Sequence, residues 1–439
     1  MRVLLLALSF LALPAVAQDL QQVYRDAKAY DAQYAGARYA LQAGLEKLPQ
    51  GRALLLPTLN LSGNAINSQT ETEPHNTSVA PSTLRDARSF GYSLSFSQPI
   101  YRLQNKLQYS QAEFQVKQAE AVFGQSGQDL IVRTAQAYFD VLAAQDTLAL
   151  VQAQKAAISE QLAQAKRNFE VGTATITDTH EAQARFDLST SQEIAAQSDL
   201  EAKRRALQQI TGKEYIALKV LRPQVKLSPP NPADMQSWVE IAEQQGYPVQ
   251  IQATATEIAA LEAKRTAAGH YPTLDFVASY GTTSQTASQF SAVPSNLTSG
   301  VFGLQIGLPL YQGGAISSRE REAAALYEKA KQDLENARRS TALITRQNYL
   351  AVINGTAQIG ALEQALISSQ SALDSNKLGY EVGVRINIDV LNAQQQLFST
   401  RRDLAVARYN TITSHLRLKA AAGSLREEDL EEVNRALEP

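Results

Sequence analysis

A chain of 439 residues with a formal net charge of −2 has no basic excess with which to hold a nucleic-acid backbone. The absence of cysteine excludes disulfides, thiol catalysis, cysteine-based metal sites and a lipid anchor on an N-terminal cysteine. Hydrophobic residues make up 44% of the chain, ample for a core. No stretch reaches the ~18 to 20 consecutive apolar residues of a membrane-spanning helix.

Residues 1–17 have the layout of a secretory signal peptide: Arg2, an apolar run from Val3 to Leu13, and Ala15-Val16-Ala17 before a cleavage point at Gln18. A buried N-terminal helix is the rival reading. Residues 18–220 form a first repeat. Its opening segment, 19–48, suits a helix with Leu20, Val23, Ala27, Tyr30, Tyr34 and Ala37 at three- and four-residue steps, which Leu48-Pro49-Gln50-Gly51 ends or bends. The texture then changes to period two. Leu59, Leu61, Gly63 and Ala65 alternate with small or polar residues over 58–68, and Phe90, Tyr92, Leu94 and Phe96 do so over 88–100. A polar stretch with Pro74 and Pro81 separates these strands. A helical run over 102–170 holds no proline and only Gly124 and Gly127 as weak points; at 1.5 Å per residue it could reach on the order of 100 Å. A shorter return helix covers 177–209.

A linker over 221–236, with Pro223, Pro229, Pro230 and Pro232, cannot be a long helix. The second repeat, 237–423, has the same order: a helix over 238–268, strands over 273–284 and 300–310, and helices over 314–381 and 387–422. A short acidic tail over 424–439 reads as one helical segment with Ser424 as its N-cap. The return helices are shorter than the outgoing ones, so 19–48 and 238–268 are placed to stack on them.

The duplication is clearest at Phe169-Glu170-Val171-Gly172 through Asp178, echoed by Tyr380-Glu381-Val382-Gly383 through Asp389, with the two glycines 211 positions apart. Each copy reads as a helical hairpin tip. Gly172 and Gly383 take the left-handed turn after a helix, a Thr or Asn caps the next helix, and Asp178 or Asp389 sits in its first turn, facing the positive end of the helix dipole. With two copies, this is a duplication rather than a solenoid.

Four strands of roughly ten residues, with one apolar face and one small polar face, fit a transmembrane barrel. Two hairpins packed on a soluble sandwich would alternate likewise. If the barrel holds, four strands cannot close it and lipid tolerates no open edge, so at least two chains, plausibly three, must share one barrel. The narrow apolar stripes of the long helices suit either a coiled-coil bundle or a one-layer wall of helices wetted on both sides.

No catalytic constellation emerges. His75, His180, His270 and His415 are scattered without zinc-protease spacing, and each reads as an ordinary surface or boundary histidine. Gly124-Gln125-Ser126-Gly127 lies within a helical run, not on a phosphate loop. The doublets Arg204-Arg205, Arg338-Arg339 and Arg401-Arg402 read as solvated helix faces. No cofactor or metal is expected.

Taken together, the duplicated order of elements, Leu378-Gly379-Tyr380-Glu381-Val382-Gly383, Ile388-Asp389-Val390-Leu391-Asn392-Ala393 and Ala407-Arg408-Tyr409-Asn410 resemble the TolC-type ducts of the outer membrane efflux protein family. The likeness covers nearly the whole mature chain. It implies a mixed α and β membrane protein: a homotrimer whose twelve-stranded outer-membrane barrel, in outer-membrane lipid, continues into a periplasmic barrel of twelve helices. It further implies a duct without enzymatic activity, docked through a periplasmic adaptor onto an inner-membrane ABC or RND-type pump, for protein secretion, drug efflux or both. By position, Tyr380 and Arg385 would link to Thr177 and Asp178 of a neighbouring hairpin and hold the tips closed. Asp389 would face the pore. Asn392 stands where some relatives carry a second acid, which departs from a cation-binding ring. The missing cysteine leans towards the multipurpose or protein-secreting branch. A non-conducting periplasmic coiled-coil scaffold or adaptor is the alternative; a secreted hydrolase finds no residues to support it.

Overall fold

The computed structural model describes residues 17–73, 83–222, 229–286 and 293–438. The signal segment apart from Ala17, His75, Pro74, Pro81 and Pro223 lie outside the described residues. The chain divides into two compact units, one made of the chain up to Ala40, Ala121–Gln250 and the chain from Asn336 onward, the other of Leu41–Glu120 and Ile251–Glu335.

The second unit holds the sheet. Its strands β1 (Thr58–Thr72), β2 (Thr83–Tyr101), β3 (Thr273–Gln285) and β4 (Ser295–Gly307) lie in the order β1-β2-β3-β4, each pair antiparallel. Paired residues of antiparallel neighbours point to the same side, so register decides which rows share a face. Leu59, Phe96, Ala278 and Phe302 form one row, and Leu61, Leu94, Tyr280 and Gly300 the next on that face. The alternate row Asn60, Ser95, Ser279 and Val301 lies on the other. Most of the large apolar residues of the four strands therefore share one face, while Ile66, Val277, Leu297 and Val301 lie on the other. β1, β2 and β4 extend beyond the expected strands at their loop ends. β4 stops at Gly307 rather than 310, just short of Pro309, which has no N–H to give a ladder. Pro99 does lie inside β2, and the ladder pays with a register shift between Pro99 and Tyr101.

The long helices α4 (Leu103–Glu170) and α8 (Ala315–Glu381) and the return helices α5 (Ile176–Thr211) and α9 (Asn387–Ala421) are each continuous. α4 passes through Gly124 and Gly127 unbroken. Gly124 is not a weak point but a close approach, because a Cβ there would lie 2.5 Å from the Tyr247 ring.

The helix expected over 19–48 is three helices, α1 (Leu20–Tyr30), α2 (Ala32–Leu45) and α3 (Lys47–Ala53). Asp31 makes the first break: it leaves helical geometry, and its carboxylate accepts from the Tyr34 backbone N–H at 2.6 Å, capping the new helix. α2 ends at Leu45, whose carbonyl Pro49 has no N–H to serve, and Pro49 itself sits in the first turn of α3, where no backbone donor is required. The helix expected over 238–268 is α6 (Met235–Gln245) and α7 (Tyr247–Ala267), broken at Gly246, where a Cβ would lie 2.5 Å from the Ala242 carbonyl oxygen. The tail forms α10 (Glu427–Arg435), but Ser424 is not its cap. The Ser424 hydroxyl donates to the Lys419 carbonyl, and the Asp429 carboxylate instead accepts from the Arg426 N–H at 2.7 Å.

The core of the first unit gathers Leu20, Val23 and Tyr24 of α1 with Tyr138, Phe139 and Leu142 of α4, Leu207 of α5, Tyr409 and Leu416 of α9, and Leu430 of α10. Chain ends are tied in by bridges between Gln18 and Leu218 and between Leu221 and Leu437.

Candidate gate at the hairpin tips

Both tips close by the same backbone device. After α4, Gly172 has φ +78°, and the N–H groups of Thr173 and Ala174 both donate to the Asn168 carbonyl at 2.8 and 3.2 Å. After α8, Gly383 has φ +77°, and Val384 and Arg385 both donate to the Gly379 carbonyl at 2.8 and 3.0 Å. Nothing lies within 4 Å of a Cβ added to either glycine, so conformation and not space demands glycine there.

The helices that follow begin differently. Thr175 caps α5: its hydroxyl accepts from the Asp178 N–H at 3.3 Å, and Asp178 Oδ2 accepts from the Thr175 N–H at 2.9 Å and its hydroxyl at 2.7 Å. Thr177 lies one position inside α5, exposed. In the second copy the N-cap is Ile386, which has no side chain to offer, and the expected cap Asn387 is instead the first helical residue, 3% exposed. The Asp389 carboxylate, relieved of capping, lies 3.7 Å from Arg385 Nη1. Arg385 is well exposed and Asp389 about a third exposed, so solvent screens the pair and it is worth about 0 to 1 kcal/mol. Equivalent aspartates thus do unlike work: Asp178 holds its own turn and Asp389 meets a cation.

Within one chain no hydrogen bond or ion pair joins Tyr380 or Arg385 to Thr177 or Asp178. The Tyr380 hydroxyl accepts from Asn168 Nδ2 of the first hairpin at 3.2 Å, and its ring packs beside Leu373, Val390 and Leu397. Asn392 Oδ1 accepts from Arg185 Nη2 at 2.9 Å, while Arg185 Nη1 donates to Gln395 Oε1 at 2.5 Å. Asn168, Arg185 and Gln395 are residues that sequence reading missed. A faint signal existed for Arg185: the position 211 residues on is the uncharged Gln396, so the copies diverge there.

The family model described as outer membrane efflux protein matches residues 23–213 and 248–424, passing over the linker and α6. The chain is similar to Outer membrane protein TolC of Vibrio cholerae, with 35% identity over 98% of this chain and 96% of that protein. It is similar to Proteases secretion protein PrtF of Dickeya chrysanthemi, with 31% identity over 95% of this chain and 90% of that protein. Among solved structures, the Campylobacter jejuni CmeC outer membrane channel superposes with a TM-score of 0.80, covering 95% of this chain and 90% of its own at 16% identity, a likeness of fold.

Proposed function

Because the chain belongs to the outer membrane efflux protein family, we propose that this outer-membrane protein is the exit duct of a tripartite export system, a passive conduit and not an enzyme. The observation that carries this reading is the concentration of large apolar residues from all four strands on one sheet face, with β1 and β4 as unpaired edges. In lipid an open edge leaves backbone groups unpaired, so copies must join edge to edge. An even number of strands per copy sets β4 of one copy antiparallel to β1 of the next, in keeping with every other pair. Two copies would make about eight strands, whose interior side chains fill. Three copies make twelve and leave a path for cargo.

The helices α4, α5, α8 and α9 of each copy would continue the duct into the periplasm. An adaptor protein would join the tips to an inner-membrane pump of the ABC or RND type. Similarity to a protease secretion protein favours protein cargo. At the tips, Tyr380 and Arg385 would meet Thr177 and Asp178 of a neighbouring copy, with Asp389 and Asn392 turned to the pore, and Gly172 and Gly383 shaping the turns. The capping bonds of Asp178 engage Oδ2, leaving Oδ1 for such a neighbour.

Light scattering of the detergent-solubilised mature protein should give three times the chain mass, and planar bilayers should register single-channel steps. A folded monomer that never inserts would overturn the duct and favour a periplasmic scaffold.

A further inference from the structure

Charge is absent from the apolar face of the sheet until one residue. From the row of Leu274 and Ile306 to the row of Ala65, Phe90 and Ser284, nearer the hairpin loops, every residue on that face is uncharged. The one carboxylate within this stretch, Asp275, pairs with Gln305 and so lies on the other face. The strand from Leu274 to Ser284 rises about 34 Å along its length, or about 26 Å across a membrane at a ~40° tilt. That is close to the ~25 Å apolar band of a barrel in lipid.

The next row on the same face sets Asn67 opposite Arg88. The first charge met beyond the band is therefore a cation; the acids Asp86 and Glu71 lie further out. The Arg88 side chain is exposed, and no other described residue engages its guanidinium, although its backbone N–H donates to Thr286 Oγ1 at 2.9 Å. The Asn67 amide beside it is exposed and likewise unengaged. Phe90 stands one row inward, which lets the arginine stem lie on apolar surface while its head reaches polar groups. A hollow of about 540 Å³ adjoins, lined by residues of both rows and those between them. β2 is paired on each side, so joining copies at β1 and β4 leaves Arg88 uncovered. The second hairpin has no counterpart: 210 positions on from Arg88 stands Thr298, whose hydroxyl meets that of Thr282. Strand geometry thus does not require a cation here.

Headgroups flank the hydrocarbon core of a bilayer at this level. A planar guanidinium gives a phosphate two parallel hydrogen bonds, and an amide beside it can give a third. We propose that Arg88, with Asn67, binds the phosphate of a phosphorylated glycolipid in the outer leaflet, one lipid for each chain. This rests on the duct reading above, which puts the apolar face in lipid and the hairpin loops outside.

Native mass spectrometry of the intact detergent-solubilised protein tests it, with lipid A added and, separately, lipid A stripped of its phosphates. The parent protein should retain phosphorylated lipid A several-fold better than the dephosphorylated form, a comparison that needs no variant. Arg88→Gln should lose that preference and Arg88→Lys should keep part of it. Equal retention of the two lipids by the parent, or an undiminished preference in Arg88→Gln, would overturn the site. Inorganic phosphate at millimolar concentration should not displace the lipid; displacement would reassign Arg88 to free anions. The same spectrum counts chains, so a trimer without lipid preference rejects the site and leaves the duct reading standing. A folded monomer rejects the duct reading and the site with it.

Discussion

Arg102, the first residue beyond β2, donates two parallel hydrogen bonds to Asp275 near the start of β3, from Nε to Oδ1 at 2.8 Å and from Nη2 to Oδ2 at 2.6 Å. The Asp275 side chain is 8% exposed, so the arginine is what makes that carboxylate tolerable inside the fold. The pair follows directly on the register shift at Pro99 and Tyr101, and it holds the strand end where the ladder is weakest.

Arg102→Met should therefore cost about 2 to 3 kcal/mol, since it leaves a buried carboxylate unpaired. Adding Asp275→Leu should recover part of the loss, because removing both charges also removes the desolvation cost. Thermal unfolding of the detergent-solubilised protein reads both. A neutral Arg102→Met would mean that Asp275 finds another partner.

The sheet register supplies a second outcome. Leu94 shares its face with Leu61 and Tyr280, while Ser95 shares the other with Asn60 and Ser279. Arginine at Leu94 or Leu304 should hinder insertion by about 2 to 4 kcal/mol if that face meets lipid near mid-bilayer. Arginine at Ser95 or Gln305 should insert normally and change conductance. Folding into vesicles across a urea series separates the two, and equal penalties on both faces would refute a lipid-facing side.

How much of this was legible beforehand follows from the range of the interactions involved. Period two at Leu59 and Phe90 and the glycine turns at Gly172 and Gly383 are local properties, written in consecutive residues. The break at Asp31 was not, because a tertiary neighbour justifies it, Arg133 reaching the Asp31 carboxylate at 3.0 Å; the one at Gly246 is local in part, since a Cβ there would meet the Ala242 carbonyl of its own helix before that of Ala421. Arg185 is the same case at the candidate gate. Its partners lie 207 and 210 positions away, and nothing in its own helix announces them.

A half-buried acid predicts pH dependence. Asp146 accepts at 2.7 Å from the hydroxyl of Tyr409, whose ring stacks on Phe139. Burial raises the Asp146 pKa, and the Tyr409 hydrogen bond opposes that rise without cancelling it. The folded state then holds a proton that the unfolded state has lost, so this group's contribution to stability is greatest in acid and is lost as pH rises through its folded pKa. Tyr409→Phe should cost about 1 to 3 kcal/mol at neutral pH, where it strands the ionised carboxylate, and less as the pH falls and Asp146 takes up its proton. Denaturant titrations of both proteins across that range check the sign. A penalty that grows towards acid would contradict it.

The tips carry the last prediction, and the structure sharpens what must be controlled in it. Phe169 in the first copy becomes Tyr380 in the second, and Ala174 becomes Arg385, changes that the turn geometry shared by Gly172 and Gly383 does not require. If Arg385 pairs with Asp178 or Thr177 of a neighbouring copy, Tyr380→Phe with Arg385→Ser should open the tip without dissolving the proposed trimer. Single-channel conductance should rise several-fold, and cells should become sensitive to large antibiotics that normally stay outside. Asp178→Ala should reproduce part of this rise and add little to Arg385→Ser, because both remove one interaction. Asp178 also caps α5 through Thr175, so its removal costs about 1 kcal/mol of helix stability regardless of any gate. Thr175→Ala isolates that loss, since it disturbs the cap and leaves the Asp178 carboxylate in place. Conductance that rises equally in Thr175→Ala would assign the effect to a frayed helix. Conductance that stays at the parental level in Tyr380→Phe with Arg385→Ser, in a protein still trimeric, would remove these residues from the gate.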